Sequence, residues 1–219
     1  MCSKGRNKIT AMLTPEDAAY LTTAVEGLAE PLYRSLDEGY SNAHKHYDKH
    51  EMVGNGYTKG RTDLARDHAR RELEKLHEGD LSDWKVVDGS SGRLHLNKGT
   101  LTLRVLHASP VDLVPAPGRN KARISYFRNP AIDLFGVEAS NLLAIWISPP
   151  PTGGDISIRI VRPIGDWKPG RPPKFDLDLE LPRNVETFEG WEFDASESGI
   201  ILPFEFDEDI REEGSNGGA

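Results

Sequence analysis

Nine residues, AHKHYDKHE at 43–51, hold three histidines, an aspartate and a glutamate. Imidazoles and carboxylates are the donors of transition-metal sites and also the groups of acid–base catalysis. At about 100° per residue on a helix, His44, Asp48 and Glu51 share one side. His46 and His50 share another, roughly 160° from His44. One helix cannot bring all three histidines to one ion. Two half-sites remain, one on each flank, with the pair His46 and His50 the candidate for a metal, and each needs further ligands from another element. Without them, both flanks are boundary residues beside a buried stripe, and no cofactor is expected.

A second pair, His68 and Glu72, is also spaced i,i+4, but on the apolar side of the next helix, near Leu64, Ala65, Ala69 and Leu76. An imidazole and a carboxylate facing a core need partners, because an unpaired buried polar group costs about 1–3 kcal/mol. They form a proton-transfer couple, a structural hydrogen bond, or a pair of helix-edge residues reaching water. GNGYTKGRT (54–62) combines glycines with Lys59 and Arg61 ahead of a helix, a pattern able to hold a phosphate. It lacks the glycine-lysine-serine/threonine ending of a P-loop and has no strand before it, so an interhelical loop is the expectation. KFDLDLELP (174–182) aligns Asp176, Asp178 and Glu180 opposite Phe175, Leu177, Leu179 and Leu181. Such a row of like charges reads as a solvent face that discourages edge pairing.

The remaining feature is a basic, proline-rich segment in an acidic protein, RPIGDWKPGRPPK at 162–174. Arg162, Lys168, Arg171 and Lys174 surround Trp167 there, a composition suited to contacting an acidic partner or a single-stranded nucleic acid. No nucleophile elbow and no H-E-x-x-H pattern occurs, and Cys2 is the only cysteine. The net charge of −8 argues against binding nucleic acid or membranes through overall charge. No run is apolar enough to span a bilayer, and the N-terminus lacks a signal-peptide core, so a cytoplasmic protein is expected.

These groups must be positioned by two kinds of element. The first third has helical periodicity. Thr14 caps a helix with Pro15 in its first turn, and Pro31 interrupts. A second helix carries the stripe Leu32, Leu36, Tyr40, Ala43 and Tyr47, and a third runs from Thr62 to Gly79. From Trp84 the period becomes two. GRLHLNKGTLTLRV reads as a hairpin turning at Lys98-Gly99, with Leu94, Leu96, Leu101 and Leu103 on one face. ARISYFR (122–128) reads as a strand, and NLLAIWIS (141–148), apolar on both faces, as a central, doubly covered one. DISIRIV and KFDLDLELP follow as alternating strands, and GWEFDASESGIILPFEF adds one or two more.

Helices followed by strands predict an α+β fold: about three N-terminal helices packed on a largely antiparallel β-sheet in a single domain. The expected divisions are a disordered leader (1–10), a helical part (11–80), a β part (81–206) and an acidic disordered tail (207–219). Two functions follow from these features. The first is a non-enzymatic binding or regulatory protein that contacts another protein through the basic tryptophan loop. The alternative is a small hydrolase, with or without a metal, using His68 and Glu72 with a second-helix histidine, His95 or His107.

Overall fold

A computed structural model of the chain describes residues 8–9, 13–76, 78–87, 94–109, 114–129, 140–149, 154–168 and 171–183. Thr14 opens the first helix, α1 (Pro15–Glu26): its hydroxyl oxygen accepts the Asp17 amide at 3.1 Å. Pro15 takes the first turn, and Glu16 and Asp17 stand at the positive end of the dipole. After Gly27 comes α2 (Ala29–Lys49), with Pro31 in its first turn. A proline there removes an N–H that has no intrahelical acceptor, so Pro31 helps to start α2 instead of interrupting a longer helix. Leu32, Leu36 and Ala43 are buried and Tyr40 and Tyr47 half-buried, which bears out the stripe.

A 3₁₀ turn, Asn55–Tyr57, leads into α3 (Thr58–Glu74), earlier at both ends than the expected Thr62 and Gly79. Gly60 falls in the first turn, where it interrupts little. Lys59–Asp63 (2.5 Å) and Arg70–Glu74 (2.7 Å) tie successive turns together. α2 and α3 pack along each other, and Gly39 is a point of close approach. A Cβ there would lie 2.3 Å from the Ala65 carbonyl oxygen and 2.9 Å from the Ala69 nitrogen. Gly39→Ala should gain about 1 kcal/mol of helix propensity. It should lose about 1–3 kcal/mol or more, because the atoms in the way are backbone. Net destabilisation is the expected result, read as a lower urea midpoint; a midpoint at or above the parent's would refute the close packing.

The β half forms one sheet with seven strands among the described residues. They are β1 (Lys8–Ile9), β2 (Lys85–Val87), β3 (His95–Lys98), β4 (Leu101–Ala108), β5 (Asn141–Ile147), β6 (Ser157–Ile164) and β7 (Lys174–Leu181). Their spatial order is β1-β7-β6-β5-β4-β3-β2, antiparallel except between β4 and β5. The fold is therefore α+β with a mostly antiparallel sheet. Lys8–Ile9, inside the expected leader, pairs with Asp178 and Leu177 along the edge of β7. The expected tail at 207–219 and the strands expected from GWEFDASESGIILPFEF lie outside the described residues.

Two readings of the strands are corrected. The hairpin turns at Gly99-Thr100, pairing Lys98 with Leu101 and Leu96 with Leu103. Gly99, at φ +56°, supplies the positive φ that the first position of a II′ turn requires. Moving the turn by one residue shifts each partner by two, so all four leucines stay on one buried face. The segment expected as a strand at 122–128 is instead α4 (Lys121–Tyr126). Asn120 caps it, its Oδ1 accepting the Ala122 and Arg123 amides at 3.0 and 3.2 Å. This crossover helix is also what allows β4 and β5 to run parallel.

The N-terminal helices cover one face of the sheet in a core that includes Trp84, Leu96, Leu103, Trp146, Ile158 and Leu179. Tyr33 of α2 fixes the registration: its hydroxyl donates to the Leu181 carbonyl (2.7 Å) and accepts the Ile158 amide (3.1 Å). On the other face Phe127, Ala108, Leu143, Ile145 and Val161 form a second cluster. β5 thus contributes to both cores, as its uninterrupted apolar sequence implies.

The carboxylate row of β7 is not a solvent face. Asp176 is fully buried and Asp178 nearly so, while Glu180 is exposed. Arginines of the neighbouring strand explain this. Arg162 pairs with Asp176, and Arg159 grips Asp178 through Nε at 3.0 Å and a second guanidinium nitrogen. The register between β6 and β7 shifts at Arg162/Pro163, a bulge that accommodates a proline inside an interior strand.

Candidate functional site

The basic loop begins where Gly165, at φ +66°, turns the chain out of β6. Asp166 pairs with Arg128 at 2.9 Å on the surface. The half-buried Trp167 donates its indole N–H to the Arg171 carbonyl at 2.8 Å, and the Arg171 amide donates to the Lys168 carbonyl at 3.1 Å. These bonds close the turn around the tryptophan. Lys168, Arg171 and Lys174 are exposed. Arg162, expected among them, is 1% exposed. It is spent on Asp176 and on the Ser140 hydroxyl, 3.0 Å from its Nε, so it belongs to the interior and contributes no contact surface.

The opening cluster separates as the helical projection requires. His46 and His50 lie next to each other on the exposed flank, their rings tilted and their centroids 4.8 Å apart. Among the described residues no group of three His, Cys, Asp or Glu side chains is placed to hold a metal. His44 lies on the other flank against Tyr40, ring centroids 4.2 Å apart. Burial pushes its pKa below the usual imidazole value, aided by the charge of Arg61 and opposed by Asp48.

The groups of the hydrolase reading are dispersed. Glu72 takes both of its oxygens to Lys75 Nζ, at 2.6 and 2.8 Å, and His68 is half-buried on α3. His107 packs on Trp146 (4.4 Å) on the helical side of the sheet and shares a hydrogen bond with the Ser148 hydroxyl at 2.9 Å. His95 sits on the opposite face, where its ring is 6.1 Å from that of Tyr126 in α4. The sheet therefore separates His95 from α3.

One feature escapes sequence reading altogether. A cleft of about 520 Å³ opens where the first turns of α3 meet the end of β4, the loop at 115–116 and α4. Lys59, Asp63 and Arg66 enter it from α3, His107 from β4 and Arg123 from α4. Asp63 holds Lys59 at 2.5 Å and Arg66 at 3.0 Å. Burial raises the Asp63 pKa, but hydrogen bonding to Lys59 and the charge of Arg66 outweigh it and hold the carboxyl below its usual value. Burial also lowers the His107 pKa, which favours a neutral ring in the cleft wall. Lys59 stood out in the glycine-rich segment, but its companion there, Arg61, turns back to the Gly54 carbonyl (3.3 Å). The capping Asn120 was the available signal that Arg123 lies on a helix.

No protein-family model, no curated protein and no solved structure matches this chain.

Proposed function

We propose that the chain is a non-enzymatic binding protein that captures an acidic segment of another protein on the turn between β6 and β7. The observation that carries this reading is the closed turn itself. The same segment carries three exposed cations, Lys168, Arg171 and Lys174, and a tryptophan fastened to its backbone. A preformed turn lowers the ordering cost of association. The exposed face of the indole offers apolar contact area.

Exposed ion pairs contribute only about 0.2–1 kcal/mol each, so the complex should be weak, fast and sensitive to salt. The test is titration of the full-length protein with a fluorescently labelled oligoglutamate peptide, followed by anisotropy. Saturable binding that weakens with salt and is abolished in the triple variant Trp167→Ala, Lys168→Gln, Arg171→Gln supports the assignment, provided circular dichroism is unchanged. Equal binding by the triple variant would sink it. Binding of a single-stranded oligonucleotide in preference to the peptide would overturn the choice of partner. No helix among the described residues is long and apolar enough to cross a membrane, and an intracellular site of action is part of this proposal.

A further inference from the structure

We propose that His46 and His50 chelate a divalent copper ion on the exposed flank of α2, with water completing its coordination. The two residues are spaced i,i+4, about one helical turn, and both side chains are exposed. Their ring centroids are 4.8 Å apart and their planes are inclined at 54°. An imidazole nitrogen ligates at about 2.0–2.1 Å, which puts each ring centroid about 3.2 Å from the ion. Two centroids 4.8 Å apart then subtend about 100° at the ion, between the square-planar and tetrahedral angles.

The backbone holds the pair in place. His46 lies within α2, and His50 caps its C-terminus. The His50 amide donates to the Tyr47 carbonyl at 3.2 Å, and the Met52 amide returns to the same carbonyl at 2.9 Å. Glu51, between them, turns the chain at φ +57°. Main-chain bonds thus set the position of His50. Among the described residues neither imidazole has a hydrogen-bond or ion-pair partner, so an ion displaces no existing bond.

The donor set selects the ion. A structural zinc site is closed by four side chains, and no third His, Cys, Asp or Glu stands with this pair among the described residues. Two imidazoles and water impose no geometry of their own. Affinity then follows the general order of divalent metals, in which copper stands above nickel and zinc. Lys45 and Lys49 are exposed on the same turns and oppose a cation, but water and salt screen their charge. This site is independent of the β6–β7 turn, and either assignment can fail without the other.

Copper(II) chloride and zinc chloride are the probes, titrated by calorimetry into the full-length chain without an affinity tag. Every sample carries Cys2→Ser, because a thiolate competes for both metals. Copper should bind saturably at one ion per chain, with a Kd of about 10 μM or below, and more tightly than zinc. Electron paramagnetic resonance of the complex should show hyperfine splitting from nitrogen ligands. His46→Gln and His50→Gln should each weaken copper binding by about tenfold or more, since losing even an outer-shell partner costs about 10–100-fold. Both side chains are exposed, so these variants keep the fold. His68→Gln, on α3, should leave binding unchanged. No saturable copper binding up to about 1 mM would overturn the proposal. So would full affinity in either variant, equal weakening by His68→Gln, or tighter binding of zinc than of copper. One copper per two chains would overturn the single-chain chelate in favour of a site completed by a second copy.

Discussion

Asp176→Ala should lower the unfolding free energy by roughly 3–5 kcal/mol, the usual cost of breaking a buried ion pair from one side. Asp176 is wholly buried and its partner Arg162 is 1% exposed, so the variant takes away a carboxylate that faces a buried guanidinium. The Ser140 hydroxyl, 3.0 Å from Arg162 Nε, is a neutral acceptor and cannot replace it. In the parent, desolvation outweighs the charge of Arg162 and raises the Asp176 pKa above its usual value, so the pair is a costly arrangement even when intact. The double replacement Arg162→Met, Asp176→Leu should therefore recover most of the loss, since apolar residues of similar volume often match or exceed a buried pair. Urea unfolding of both variants at neutral pH gives the comparison. A single variant within about 1 kcal/mol of the parent would mean that water reaches the pair, and the buried assignment would be wrong.

Trp84→Ala should cost about 3–5 kcal/mol as well, through a different mechanism. Trp84 has no exposed surface and stands at the junction of the helical and β halves. Its indole N–H donates to the Ala24 carbonyl at 2.8 Å, in the last turn of α1, where carbonyls have no acceptor-to-donor partner within the helix. The variant thus opens a cavity and removes the donor to the Ala24 carbonyl in the last turn of α1. Trp84→Phe separates the two effects. It keeps much of the volume, so its smaller loss reports the hydrogen bond, about 0.5–1.5 kcal/mol, together with the reduced packing. Equal losses for Phe and Ala would assign the whole effect to the hydrogen bond and contradict the packing argument.

Neither effect can be read from the chain alone, although much around them can. The Thr14 cap, the α2 stripe and the double burial of β5 were legible because each is a short-range pattern: a cap acts within one turn, and a period of 3.6 or 2 assigns residues to faces. The same reasoning went wrong at 122–128, where Ile124 and Tyr126 alternate like a strand while Asn120 caps a helix. Six residues are too few for periodicity to decide, and the cap was the better evidence. As a helix the segment lies on the connection between β4 and β5, which run parallel. The candidate site was less legible still. Of the basic loop residues, Lys168, Arg171 and Lys174 are on the surface and Arg162 is not, yet all are arginine or lysine in the same proline-rich stretch.

By itself, then, the sequence determined which residues share a face, where helices begin, and that helices precede a sheet. Only the tertiary structure decided which faces are covered. Alternation in β7 separates Asp176 and Asp178 from the leucines but does not reveal the arginines that β6 brings beside them. Gly39 is a weak point in a helix until α3 passes within contact of it. Lys59, Arg66 and Arg123 are scattered charges until a crossover helix and a helical hairpin meet at one cleft. Local patterns follow from bonded geometry a few residues long, whereas burial, pairing and convergence depend on segments many residues apart. Those contacts exist only once the chain has folded.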